Sequence, residues 1–189
     1  MFPGRGVGRA LLDRALTAAA GVECIGLDAT PAGRPLYEKK GGRVVADLSR
    51  WEGNGLWTET GPSGTLSDDL LSLDRSVFGC DRETWLRRVA GRSALVAGAG
   101  YVGLLRAGAK AWYLGPLVAR SGNASIEAIE RLLPFAHGQK VYWDSPDLAF
   151  ASPSQWGFTR QCPIYRMMLG KTLEQKVSHM IAIADPSTG

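Results

Sequence analysis

Residues 3–12, "PGRGVGRALL", set Gly4, Gly6 and Gly8 directly ahead of a stretch whose apolar residues recur at helical spacing. Glycines let the main chain come close to an anion, and the open N–H groups and dipole of a helix start favour negative charge. A phosphate suits such a cradle. The backbone from Arg5 through Gly6, Val7, Gly8 and Arg9 to Ala10 would supply donors, and the side chains of Arg5 and Arg9 would add positive charge. No Lys-Ser or Lys-Thr follows the last glycine, so the groups that hold a γ-phosphate and Mg²⁺ are missing. Simple capping of a helix uses the same residues, and the loop alone does not separate the two readings.

A second glycine cluster, "GAGYVG" at 98–103, has the spacing of a dinucleotide-binding turn. Such a turn works where a strand ends and a helix starts at once, with an acidic residue about 20 positions further on for the ribose. Here "LLRAGAK" leaves room for about two helical turns, and no Asp or Glu occurs from Thr84 to Ile126. The stretch "SALVAGAGYVGLLRAG" reads instead as two short strands bent at glycines. A helix directly after Gly103 would support NAD binding, and a strand there excludes it.

Other reactive side chains are scattered. Cys24, Cys80 and Cys162 stand far apart without the paired spacing of a metal site, so they read as free thiols and no metal is expected. Nothing in the spacing around Asp28 or Glu38 makes either a general base, and His137 and His179 read as surface or capping residues.

The elements that must position these groups show an internal correspondence. "IGLDATPAGRPLYEKKGGRVVADLSRW" (25–51) aligns without gaps on "VYWDSPDLAFASPSQWGFTRQCPIYRM" (141–167), at a constant offset of 116 residues. Asp28 falls on Asp144, Gly41 on Gly157 and Arg50 on Arg166. Upstream, the helical stretch "VGRALLDRALTAAA" falls on "NASIEAIERLLPFA". Val7, Leu11, Leu12, Leu16 and Ala19 form one apolar face, and Ile126, Ile129, Leu132 and Leu133 form the other. Each half therefore predicts helix, strand, helix, strand. "AWYLGPLVA" and "KVYWD" are expected as neighbouring parallel strands joined by a helix over 125–133. Residues 53–65, rich in Gly and Thr, read as a linker between a first unit (1–52) and a second (66–189), and Ser67 is the expected N-cap of "DDLLSLDRSVFG".

Composition narrows the classes. With 189 residues, 45% of them hydrophobic, the chain can bury a substantial core. No apolar run approaches the ~20 residues a membrane span needs, and Asp13 and Arg14 fall where a secretory signal would be apolar, so a cytoplasmic location is expected. The net charge of +4 comes from basic residues placed singly rather than in stripes, which gives no footprint for nucleic acid.

"GRGVGRALLDRAL", strand "CIGLDAT", then "PAGRPLYEKKGG" and strand "RVVADLSRW" resemble the second half of the Gcn5-related N-acetyltransferase (GNAT) fold. The family carries a Q/R-x-x-G-x-G/A loop at a helix start and a Tyr followed by a Gly-Phe pair after the next helix. Gly6 and Gly8 fill the loop glycines, whereas Pro3 stands at the Q/R position and Gly42 in place of Phe. Residues 66–170 resemble a second such lobe, with Gly157 and Phe158 supplying the pair. Its loop "RSGNAS" keeps Gly122 and Ala124 but puts Ser121 and Asn123 where the first has Arg5 and Val7, and it reads as a weakened cofactor site.

The resemblance implies a mixed αβ fold, a central mixed sheet flanked by helices, and two lobes of which the first is incomplete. It implies acetyl transfer from acetyl-CoA to a small-molecule or peptide amine, the loop 5–10 holding the pyrophosphate. Tyr37 would be the acid that protonates the leaving thiolate, as a phenol with pKa about 10 can do while neutral. The second lobe has some 50 residues ahead of its loop and the first only "MFP". The first-lobe strand near Ile25–Ala29 is therefore expected to present an open edge prone to self-association. A non-catalytic acyl-CoA-binding or regulatory module, or an inactive fragment, remains the alternative.

Overall fold

Glycines and prolines divide the chain into five α-helices and eight strands among the residues described by the computed structural model, 6–61 and 63–184. In order these are α1 (Val7–Ala18), β1 (Cys24–Ala29), α2 (Arg34–Glu38), β2 (Arg43–Asn54), α3 (Asp68–Phe78), α4 (Glu83–Ala90), β3 (Ala94–Gly98), β4 (Tyr101–Ala107), β5 (Trp112–Ala119), α5 (Gly122–Leu132), β6 (Lys140–Pro146), β7 (Thr159–Gly170) and β8 (Met180–Ala182). All eight strands belong to one mixed sheet of order β1-β7-β2-β6-β5-β4-β3, with β8 paired to β5 off that path.

The two halves read from the sequence share this sheet rather than forming one each. β7 runs between β1 and β2, while β2 runs between β7 and β6. The offset of 116 found in the sequence carries β2 onto β7 residue for residue. The order β1-β7-β2-β6 therefore reads the same from either end once β1 is exchanged with β6 and β2 with β7. β2 continues to Asn54, two residues into the stretch read as a linker. Further along that stretch, the Gly64 N–H donates to the Leu95 carbonyl at 2.6 Å and so covers the outer edge of β3.

Helices cover both faces. The buried Leu132, Ile129 and Ala128 of α5 pack with Tyr101, Leu105, Leu114 and Val141, around a fully buried Trp143 whose ring meets Phe158 edge-on at 5.5 Å. On the opposite face, Leu73 and Val77 of α3 pack with Val102, Val118 and Met180. α5 is the crossover between the parallel strands β5 and β6, as their sequence spacing requires.

Two local expectations change. Ser67 does precede α3, but its hydroxyl caps nothing; its main-chain carbonyl receives the Leu70 and Leu71 N–H groups, and Asp68 and Asp69 face the positive helix end. The apolar stripe of α1 is only partly covered: Leu12, Leu16 and Ala19 are half-buried but Val7 is 56% and Leu11 64% exposed, and among the described residues β1 has no counterpart of the three strands on which α5 lies.

Candidate active site

Two places in the sheet repeat one local plan, a helix start leading to a strand. In the first, Gly6 caps α1 in the left-handed region (φ 70°), which a residue without Cβ adopts freely. The first helical bond runs from the Ala10 N–H to the Gly6 carbonyl at 3.0 Å. The N–H groups of Val7, Gly8 and Arg9 therefore precede the helical ladder and point out of the helix end. A Cβ at Gly6 or Gly8 would meet nothing within 4 Å, so the approach to these amides is open. Arg9 is exposed and 3.9 Å from Asp13. Arg5 lies outside the described residues.

Tyr37 sits in the last turn of α2, half-buried. Its carbonyl accepts from Lys40 at 3.0 Å and Gly42 at 2.9 Å, and a Cβ at Gly42 would lie 2.9 Å from that oxygen. This close approach explains why glycine stands where the resemblance led one to look for Phe. The Lys40 ammonium reaches Asp13 at 2.5 Å and ties α1 to the end of α2. Glu38 pairs with Arg34 at 2.6 Å, raising the Arg34 pKa, and is engaged there rather than free as a base. Asp28 is buried and bound by Arg166, and the outer edge of β1 has no partner strand among the described residues.

The second place differs at each of these points. Ser121 precedes α5 and its hydroxyl accepts from the Ala124 N–H at 3.3 Å, so one of the free donors is already satisfied. Tyr37 has Pro153 at the matching position, so no phenol is available. Most decisively, the space beside β5 is filled. β5 pairs with β6 only over Trp112–Leu114, then leaves it at Gly115 and Pro116, and β8 enters the widening gap. Leu117 aligns with Ala182 and Val118 with Met180. The Trp143 indole N–H donates to the Ile181 carbonyl at 2.8 Å, and the Ile183 N–H donates to the Asp144 carbonyl at 2.9 Å. Met180 through Ala184 are all buried. Gly115 (φ 130°) is required here, because a Cβ would collide with the Ile183 carbonyl.

The glycine cluster at 98–103 is a hairpin. Gly98 ends β3, Gly100 turns at φ 104°, and Tyr101 begins β4, which continues through Gly103 to Ala107. The strand after Gly103 removes the dinucleotide reading. His137 ends a 3₁₀ turn in the left-handed region, and the His179 Nδ1 lies 3.1 Å from the Ala119 carbonyl. Among the described residues no cluster of His, Cys, Asp or Glu could hold a metal, and no helix is long and apolar enough to cross a membrane.

Sequence reasoning missed the filling of the second gap, although the apolar run "MIAIA" at 180–184 was its signal. It also aligned Asp28 with Asp144 and Arg50 with Arg166 without seeing that each acid pairs with the other half's arginine.

Comparison with known proteins bears on the family and the fold. The family described as acetyltransferase (GNAT) domain matches residues 70–182, more than half of the chain. A candidate acetyltransferase from Pyrococcus horikoshii superposes with a TM-score of 0.83 at 22% identity, covering 100% of this chain and 68% of that one. A GCN5-related N-acetyltransferase from Sphaerobacter thermophilus gives 0.51 at 14% identity, covering 92% and 72%. A candidate acetyltransferase from Thermoplasma acidophilum gives 0.52 at 10% identity, covering 89% and 64%. Among curated proteins none matches. At these identities the solved structures speak for the fold, and the match over 70–182 assigns the lineage: the chain belongs to the GNAT acetyltransferase domain family.

Proposed function

We propose that the chain takes part in N-acetyl transfer from acetyl-CoA to an amine, with the donor bound at the first place and not at the second. The supporting observation is the contrast between them: an open helix start at Gly6–Ala10 leading to β1, whose outer edge has no partner strand among the described residues, against a capped helix start and a gap filled by residues 180–184. The amides of Val7, Gly8 and Arg9 would face the pyrophosphate, an anion at the positive end of a helix, and the Arg9 side chain, with Arg5 next in sequence to the loop, would add positive charge. CoA carries the acetyl group as a thioester and supplies the activated carbonyl. Tyr37 would return a proton to the departing thiolate, and the amine must arrive unprotonated to attack.

The test is thiol release from acetyl-CoA over a panel of amines, together with equilibrium binding of CoA. Replacing Gly6 and Gly8 by Val should weaken CoA binding about tenfold, roughly 1.4 kcal/mol, in a variant that keeps its circular dichroism. Unchanged affinity in the folded double variant would remove the assignment.

A further inference from the structure

On the face of the sheet carrying α3, a cavity of about 280 Å³ opens beside β1. Cys24 and Gly26 of β1 and Met168 of β7 line one side, and Phe78, Cys80 and Leu173 the other. A Cβ at Gly26 would meet nothing within 4 Å, so this glycine leaves the space clear. The far wall is fixed rather than draped over the opening. The Lys176 N–H donates to the Val77 carbonyl at 2.9 Å, the Gln175 side-chain amide donates to the Phe78 carbonyl at 3.0 Å, and Gly79 packs directly against the Glu174 carbonyl.

The charged part of the lining is neutralised, while the buried Gln175 Oε1, a neutral acceptor, has no hydrogen-bond partner among the described residues. Arg166 gives two bonds to Asp28, at 2.9 and 2.8 Å, and a third contact to the Met180 sulfur at 3.4 Å. Among the described residues no unbalanced charge lines the cavity, and a buried ammonium there would bear the desolvation cost of an unpaired ion. Apolar surface, by contrast, gains by leaving water.

We infer that this cavity receives the apolar body of the acceptor, so that the preferred substrates are amines carrying an alkyl or aryl group of about ten non-hydrogen atoms or fewer, with the nitrogen held outside. The inference rests on the acetyl-transfer reading, and binding without the donor separates the two. Cys24 and Cys80 provide the reporter. Burial pushes the Cys80 thiol pKa up, so it reacts slowly at neutral pH and more readily in mildly alkaline buffer.

The full chain is treated with N-ethylmaleimide at pH 8.5, with and without n-hexylamine, phenethylamine or the small polar ethanolamine, and modification of each cysteine is followed by peptide mass spectrometry. The expected result is about fivefold slower labelling of Cys24 and Cys80 with the two apolar amines, none with ethanolamine, and Cys162 unaffected throughout. Gly26→Leu should abolish the protection. Leu173→Trp, which fills the same space from the opposite wall, gives the same answer if the first variant does not fold. Equal protection by all three amines, or protection surviving in both variants, overturns the inference. If the apolar amines protect but no amine releases CoA thiol, the cavity stands and the acetyl-transfer reading falls. If thiol is released and the KM for hexylamine is the same in wild type and both variants, the reading stands and the cavity assignment falls.

Discussion

Asp28 on β1 and Arg166 on β7 face each other in register and share two hydrogen bonds, and Asp144 with Arg50 repeats this pair at a distance of 116 residues along the chain. Each acid from one half is thus neutralised by the arginine of the other. The Asp144 hydrogen bond also raises the Arg50 pKa. Asp28 and Arg166 side chains are 0% and 5% exposed, whereas Arg50 is 27% exposed. Removing Arg166 leaves a buried carboxylate alone, and Arg166→Ala should cost about 3–5 kcal/mol. Arg50→Ala should cost clearly less, since water can reach Asp144 from the arginine's side. Replacing both Asp28 and Arg166 by Leu and Met should recover most of the loss. Urea unfolding of the four proteins checks the order.

Tyr37→Phe should lower turnover by about 10²-fold, the lower range for loss of a general acid. The phenyl ring still lies over Gly33, so folding should hold. Steady-state kinetics beside CoA binding is the measurement, and a full-rate variant would reassign the acid.

Gly103→Val places a branched side chain against Leu117 and Leu132, where even a Cβ would come within 2.6 and 2.8 Å. Overpacking at this site should cost about 1–3 kcal/mol, while added NAD should leave the melting temperature of wild type unmoved. A stabilising shift with NAD would revive the dinucleotide reading.

The strand that fills the second gap should matter to stability in proportion to its burial. Ile181→Ala and Ile183→Ala each empty a fully buried site and should cost about 2–5 kcal/mol. Gly115→Ala should be comparably damaging, because it forces the Ile183 backbone away from β5. A loss well under 1 kcal/mol for all three, by chemical denaturation, would show that β8 is only loosely held.

The outer edge of β1 has no partner strand among the described residues, and Val7 and Leu11 are exposed, so the chain presents both unpaired backbone groups and apolar surface. We expect concentration-dependent self-association of the chain in light scattering, reduced by Leu11→Glu. A monodisperse monomer at all concentrations would contradict this.

The sequence made the elements legible wherever the pattern was local. Glycine turns, apolar spacing and the short connection lengths predicted α1, β1, α5 and the β3–β4 hairpin, because each of these is decided within a few residues. The pairing of distant strands was not so decided. That "RVVADLSRW" lies between two strands more than 80 residues later depends on contacts no local pattern records. The partly exposed face of α1 has the same cause in reverse: its stripe has the composition of a buried one, and only the sheet order shows that among the described residues no further strand beside β1 covers Val7 and Leu11. Gly42 departs from the motif, and the Tyr37 carbonyl beside it is the steric reason.

The interlocking of β2 and β7 also sets a timetable for synthesis. When β2 leaves the ribosome, neither of its neighbours, β6 nor β7, has been made, and about 100 further residues must follow at roughly 5–20 per second. For several seconds the N-terminal segment carries a twelve-residue strand with both edges unpaired. A nascent chain stalled before residue 140 should therefore bind holdase chaperones strongly and resist compaction, and release should come only once residues through 170 have emerged.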